Sequence, residues 1–160
     1  NEDKLLKDSE FLKLKLSYDI LKTKYPEKNI FDILKKDFFI PSSIFNENLS
    51  TSEAIIKYLV ENCGLSLSEI AKLINRTSKN IWYTYNKSKK KFSKKIAVKT
   101  SILIPISIVR NLDFTLLENV VSYLKEKLGL SYHEIAVLLQ RDDRTIWTVY
   151  NRVKKKRGKL

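Results

Sequence analysis

Apolar positions recur along this chain at helical spacing, in short segments divided by polar breaks. Over residues 1–25, Phe11, Leu14, Tyr18, Leu21 and Tyr25 repeat at three- and four-residue steps, which predicts a helix ending near Pro26. Leu12, Leu16 and Ile20 widen that stripe, which suits docking on a broad surface of the same chain better than a narrow coiled-coil seam. Ile30, Phe31, Ile33, Leu34, Phe38 and Phe39 mark a second, shorter amphipathic segment. Three further stripes follow: Ile55, Ile56 and Leu59; Ile70, Leu73 and Ile74; Ile81 and Tyr85. They then return as Val120, Val121, Leu124 and Leu128; Ile135, Leu138 and Leu139; Ile146 and Tyr150.

The return is a duplication. GLSLSEIAKLINRTSKNIWYTYNKSKKK from Gly64 and GLSYHEIAVLLQRDDRTIWTVYNRVKKK from Gly129 align at a constant offset of 65 residues. Ser50 with Glu53, and Thr115 with Glu118, have the spacing of capping boxes for the first helix of each copy; Ser66 with Glu69, and Ser131 with Glu134, have it for the second. Gly64 and Gly129 suit the left-handed residue between those helices. Ala71 and Ala136 are small where another helix must approach closely. A break at Asn75-Arg76 or Gln140-Arg141 leads to the N-cap candidates Thr77 and Asp142 and to a longer helix with a lysine-rich end. Upstream, I-P-S-S-I-F and I-P-I-S-I-V place Pro41 and Pro105 where each opens a short helical turn, with one extra residue before the helix in the second copy. Short helix, tight turn and longer helix form a helix-turn-helix.

The string S-x-x-E-I-A-x-x-(I/L)-x-x-(T/D)-x-x-(T/N)-I resembles region 4 of bacterial sigma factors and the related four-helix helix-turn-helix regulators, over Leu49–Lys91 and Phe114–Lys156. Asn75 and Gln140 stand where that family usually has its turn glycine, Arg76 and Arg141 where it has an apolar residue, and Trp82 and Trp147 where it has small or polar ones. The resemblance implies a DNA-binding module and brings RNA polymerase in as a partner to consider.

The expected fold is all-α: a helical arm at 1–37, a first helix-turn-helix unit at 38–91, a basic connector at 92–101 and a second unit at 102–160 with a basic tail. Each unit of about 50 to 60 residues is near the lower limit for a self-supporting core. The connector lacks Gly and Pro, so it is expected to be stiff, with the preceding helix running some way into it.

Composition sharpens this. A hydrophobic share of 43% supports packed cores, and one cysteine, Cys63, excludes an internal disulfide framework and suggests a reducing compartment. No apolar run approaches the ~20 residues that cross a bilayer. With no signal peptide read in the charged start, a cytoplasmic, nucleoid-associated monomer is expected. The net charge of +13 equals the basic residues of two acid-free stretches, 86–100 and 151–160, each at the end of a motif helix. Helix-dipole complementation uses one or two cations there, so a polyanionic partner is the more economical explanation. Enzymatic constellations are missing: His133 is the sole histidine and is expected at the surface, Cys63 is expected to be buried, and no metal spacing or phosphate loop occurs. No enzyme activity and no cofactor are expected.

Sequence-specific duplex DNA binding by the recognition helices Ser78–Lys89 and Asp143–Lys154 is therefore expected, as a transcription regulator. Their outward faces are Lys79, Tyr83, Asn86 and Lys90, and Arg144, Thr148, Asn151 and Lys155. Lys89, Asp143 and Arg152 join them as candidate DNA contacts, as do Trp82 and Trp147, whose positions fit the core flank and a ligand-facing role equally. Arg144 suits a guanine edge, Asn86 and Asn151 an adenine edge, and Asp143 a cytosine amino group. Arg76 and Arg141, at the turns, are candidate phosphate clamps. An architectural nucleoid protein, or the DNA-binding region of a transposase or recombinase, is the alternative.

Overall fold

The computed structural model describes residues 2–30, 32, 37–99 and 101–159. The second amphipathic segment expected around Phe31, Ile33 and Leu34 falls largely outside them. The chain is mostly helical and divides into two compact units, Asn1–Phe38 and Phe39–Leu160.

The first unit contains α1 (Glu2–Leu5) and α2 (Ser9–Lys24) rather than one unbroken helix. Asp8 causes the break: its carboxylate accepts from the Glu10 and Phe11 N–H groups at 2.9 and 3.0 Å, capping α2. Tyr25, just before Pro26, closes it as expected, and no residue of α2 is buried.

The second unit opens with β1 (Phe39–Pro41) and a 3-10 turn at Ser42–Ile44, then α3 (Thr51–Glu61), α4 (Leu67–Leu73) and α5 (Ser78–Lys91). The same order returns as β2 (Leu103–Pro105), a 3-10 turn at Ile106–Arg110, α6 (Leu116–Glu126), α7 (Tyr132–Leu139) and α8 (Asp143–Arg157). All four capping boxes form with both of their hydrogen bonds. Gly64 and Gly129 adopt φ of 70° and 69° with nothing near a would-be Cβ, so backbone conformation is what favours glycine there. Asn75 and Gln140 are also left-handed, at φ 55° and 50°, so each turn keeps the conformation a glycine would take at a modest strain.

The two copies do not form separate cores. Ile40, Ile44, Ile55, Leu59, Ile70 and Ile81 from the first belong to one buried cluster with Ile104, Ile106, Val121, Leu124, Ile135 and Ile146 from the second. Three short helices leave too much apolar surface uncovered alone, and each copy supplies the other's missing wall. β1 pairs with β2 antiparallel, with Ile40 opposite Ile104, Phe39 opposite Pro105 and Pro41 opposite Leu103. Ile40 and Ile104 are corresponding residues, so the pairing relates the copies by a local two-fold. Packing elsewhere is reciprocal: α3 meets α6, α4 meets the Ile106–Arg110 turn, and α7 meets the Ser42–Ile44 turn.

Two apolar expectations shift. Leu128 is 40% exposed and not part of the buried face, and Cys63 is half-buried against the core. Both follow the last helical turn before a left-handed glycine, where the chain swings away from the core. The connector also differs, because α5 ends at Lys91 and Phe92 leaves in extended conformation to pack on the core. The irregular stretch beyond is pinned: Ile96 is buried, its carbonyl accepts from Asn62 Nδ2 at 3.1 Å, and Ser43 Oγ donates to the Lys99 carbonyl at 3.0 Å.

Candidate nucleic-acid interface

α5 and α8 are amphipathic, each starting from a side-chain cap: Thr77 accepts from the Asn80 N–H and Asp142 from the Thr145 N–H. Ile81 and Ser88 point inward from α5, and Ile146, Val149 and Val153 from α8. The opposite faces carry the side chains expected there, and the two tryptophans, which the period left undecided, join them. On α5, Trp82 is 57% and Tyr83 64% exposed, with Lys79, Lys89 and Lys90 also exposed and Asn86 half-buried. On α8, Trp147 is 53% exposed, with Asp143, Arg144, Arg152 and Lys155 exposed and Thr148 and Asn151 half-buried.

These residues gather rather than scatter. Trp82, Tyr83, Asn86 and Lys90 line one shallow depression with Lys87, and Trp147, Thr148, Asn151, Arg152 and Lys155 line its counterpart with Lys154. Arg144 shares a neighbouring hollow with Thr148 and Arg152. Each face is a large exposed indole beside hydrogen-bonding and cationic groups, able to stack, donate to acceptors and neutralise anions. Two members are already engaged. Asn86 Nδ2 donates to the Trp82 carbonyl at 2.8 Å. Asp143 lies 3.2 Å from Nδ1 of the exposed His133, whose surface position agrees with expectation.

Arg76 and Arg141 stand apart from both faces. Arg141 reaches across the seam and donates to the Leu49 carbonyl at 2.6 Å and the Asn46 carbonyl at 3.1 Å. Arg76 makes the reciprocal reach to the Phe114 carbonyl, at 3.5 Å. A guanidinium is the group that can bridge carbonyls left open before the next copy's first helix, because its donors fan out in one plane.

The lysine-rich helix ends are also divided in their duties. Lys91 lies 2.9 Å and Lys87 3.9 Å from Glu53, while Lys156 lies 2.7 Å from Glu118. Those carboxylates are the N3 residues of the first capping box in each copy. Burial pulls the Glu53 carboxyl upward, but the Ser50 N–H, Lys91 and Lys87 outweigh it and hold the group below its ordinary value. Glu118 is likewise held down against burial, by Lys156 and the Thr115 N–H. Lys89 sits 5.4 Å over the Tyr85 ring and Lys154 5.4 Å over Tyr150, one correspondence more. Among the described residues Lys90 and Lys155 are in no ion pair, which leaves them available to an external anion.

Sequence reasoning passed over two features. Lys57 is fully buried and pairs with Glu61 at 2.6 Å. Its place inside the apolar run I-I-K-Y-L was the available signal. Glu53 and Glu118 anchor the basic helix ends, and their positions three residues before Ile56 and Val121 put them on the inward side of α3 and α6.

Among the described residues no group of three or more His, Cys, Asp and Glu side chains could hold a metal, and no helix is long and apolar enough to cross a membrane. Set against known proteins, the chain matches no family model, no curated protein and no solved structure.

Proposed function

We propose that this chain binds duplex DNA as a sequence-selective regulator, using its two copies as a tandem helix-turn-helix with α5 and α8 as the reading helices. The observation that carries it is the recurrence, 65 residues apart, of one exposed face: Lys79, Trp82 and Lys90 on α5, Arg144, Trp147 and Lys155 on α8. The major groove of B-DNA admits a helix, whose N-terminal half meets base edges while its far end meets phosphates. On that geometry Lys79 and Arg144 lie at the base-reading end, with Thr148 and Asn151 next. Lys89, Lys90, Arg152 and Lys155 lie at the phosphate end. Arg76 and Arg141 are assigned first to holding the two copies together, Arg141 through two hydrogen bonds and Arg76 through one long one. A net charge of +13 supports attraction to a polyanion.

The test is binding of labelled duplexes over a range of salt, for the wild-type chain and for Lys90→Ala with Lys155→Ala. The wild type should show log K falling linearly with log salt. The double variant should bind all sequences more weakly and flatten the slope by about 0.9 for each phosphate no longer neutralised. An unchanged slope would remove the phosphate role. A large ratio of specific to non-specific affinity marks a regulator, and a ratio near one marks an architectural protein.

A further inference from the structure

The seam between the copies says how two reading helices would meet one duplex. Three independent features describe the same local two-fold. Corresponding isoleucines, Ile40 and Ile104, face each other across antiparallel strands. Arg76 donates to the Phe114 carbonyl while Arg141 donates to the Leu49 carbonyl, and Phe114 is the counterpart of Leu49. The α4 and α7 helices each pack on the other copy's 3-10 turn. Packing of this kind, where i meets j and j meets i, is isologous, the type that two-fold dimers make. A head-to-tail tandem would instead pair unlike surfaces in one direction only.

A two-fold rotation leaves unchanged whatever component of a direction lies along its axis. Whatever α5 presents along the axis, α8 therefore presents to the same side. Duplex DNA has its own two-folds perpendicular to its length, relating one strand to the other. Two readers related in this way match a duplex only when the protein and DNA axes coincide, so the half-sites run in opposite senses.

We infer, on the duplex-DNA reading above, that the target is an inverted repeat recognised by a single chain. Its half-sites are unlike at the positions facing Lys79 and Tyr83 against Arg144 and Thr148. If both helices lie in successive major grooves, the half-site centres are about 10 base pairs apart. The target is thus imperfectly palindromic, and no second copy of the chain is required to fill it.

The experiment is selection by the purified chain from a pool of duplexes randomised over several helical turns. It is repeated with Lys79→Arg/Tyr83→Thr, which copies two side chains of α8 onto α5, after circular dichroism shows the variant retains wild-type helicity. The wild type should enrich an inverted pair of related half-sites. Reversing one half-site should weaken binding by roughly 100-fold, the effect of mismatching a few base pairs. The variant should make the two halves more alike, still in opposite orientation. Enrichment of a direct repeat, of a single half-site, or of no sequence from a pool that is nonetheless retained overturns the inference and leaves duplex binding standing. A pool that is not retained at low salt removes the DNA reading itself, and the inference with it.

Discussion

In the first copy the cation facing Glu61 is Lys57, one turn back on the same helix and fully buried. In the second copy Ser122 stands where Lys57 would be, and the corresponding Glu126 is met instead by Arg157 from the far end of α8, at 2.6 Å. Phe92 occupies the Arg157 position of the first copy and packs on the core. What the copies share is the carboxylate, while its partner has moved between elements. The consequence is mechanical: the last turn of α8 is tied to α6 twice, by Lys156 and Arg157, whereas α5 is tied to α3 by Lys91 and ends there, the chain running on from Phe92 to the second copy.

The largest expected effect breaks this comparison at the carboxylates. Glu61→Gln should cost roughly 3 kcal/mol, because it leaves a buried ammonium without its counter-ion. Glu126→Gln should cost less than about 1 kcal/mol, because Arg157 remains half in water. Lys57→Met combined with Glu61→Leu, which removes both charges and keeps the volume, should be near neutral. Urea unfolding of the three variants checks the order. Equal destabilisation at Glu61 and Glu126 would show that the burial of Lys57 does not govern the difference.

The second comparison is across the seam. Arg141→Ala should cost about 2 kcal/mol, since two guanidinium hydrogen bonds to carbonyls are removed. Arg76→Ala, whose bond is long at 3.5 Å, should cost well under that. Thermal unfolding should show one transition lowered for residues 39–160 in the first variant, because the copies share a core. Two separate transitions would mean that they fold independently.

The smallest effect is acid sensitivity. The folded Glu53, Glu118 and Glu126 carboxyls all sit below their ordinary 4.5. Each therefore adds stability that is fully present above about pH 4.5 and is lost as the pH falls through the folded value. Unfolding midpoints between pH 6 and pH 3 should fall more steeply for the wild type than for Glu53→Gln/Glu118→Gln, with the difference confined to the acid end.

How much of this was readable in the sequence depends on the distance between partners. Every capping box joins residues three apart, and Ser50–Glu53, Ser66–Glu69, Thr115–Glu118 and Ser131–Glu134 all formed where expected. Outward faces followed from helical period, and so Tyr83 is exposed, whereas the period left Trp82 and Trp147 between core flank and outward face and only the packing exposes them. The seam was not readable, because Arg141 and Leu49 are 92 residues apart and nothing local distinguishes a guanidinium that seeks a carbonyl from one that seeks a phosphate. The break at Asp8 was local and still passed over: the apolar stripe begins only at Phe11, three residues after a good N-cap.

The chain has two tryptophans, one on each exposed face, so each copy carries its own reporter. Trp147→Phe leaves Trp82 alone to report on α5, and Trp82→Phe leaves Trp147 to report on α8. Acrylamide quenching of each single-tryptophan chain, with and without duplex DNA at low salt, asks directly whether both helices meet the ligand. The account predicts that DNA protects both indoles and that added salt restores quenching in both. Protection of neither, or of only one, would contradict a two-copy reader.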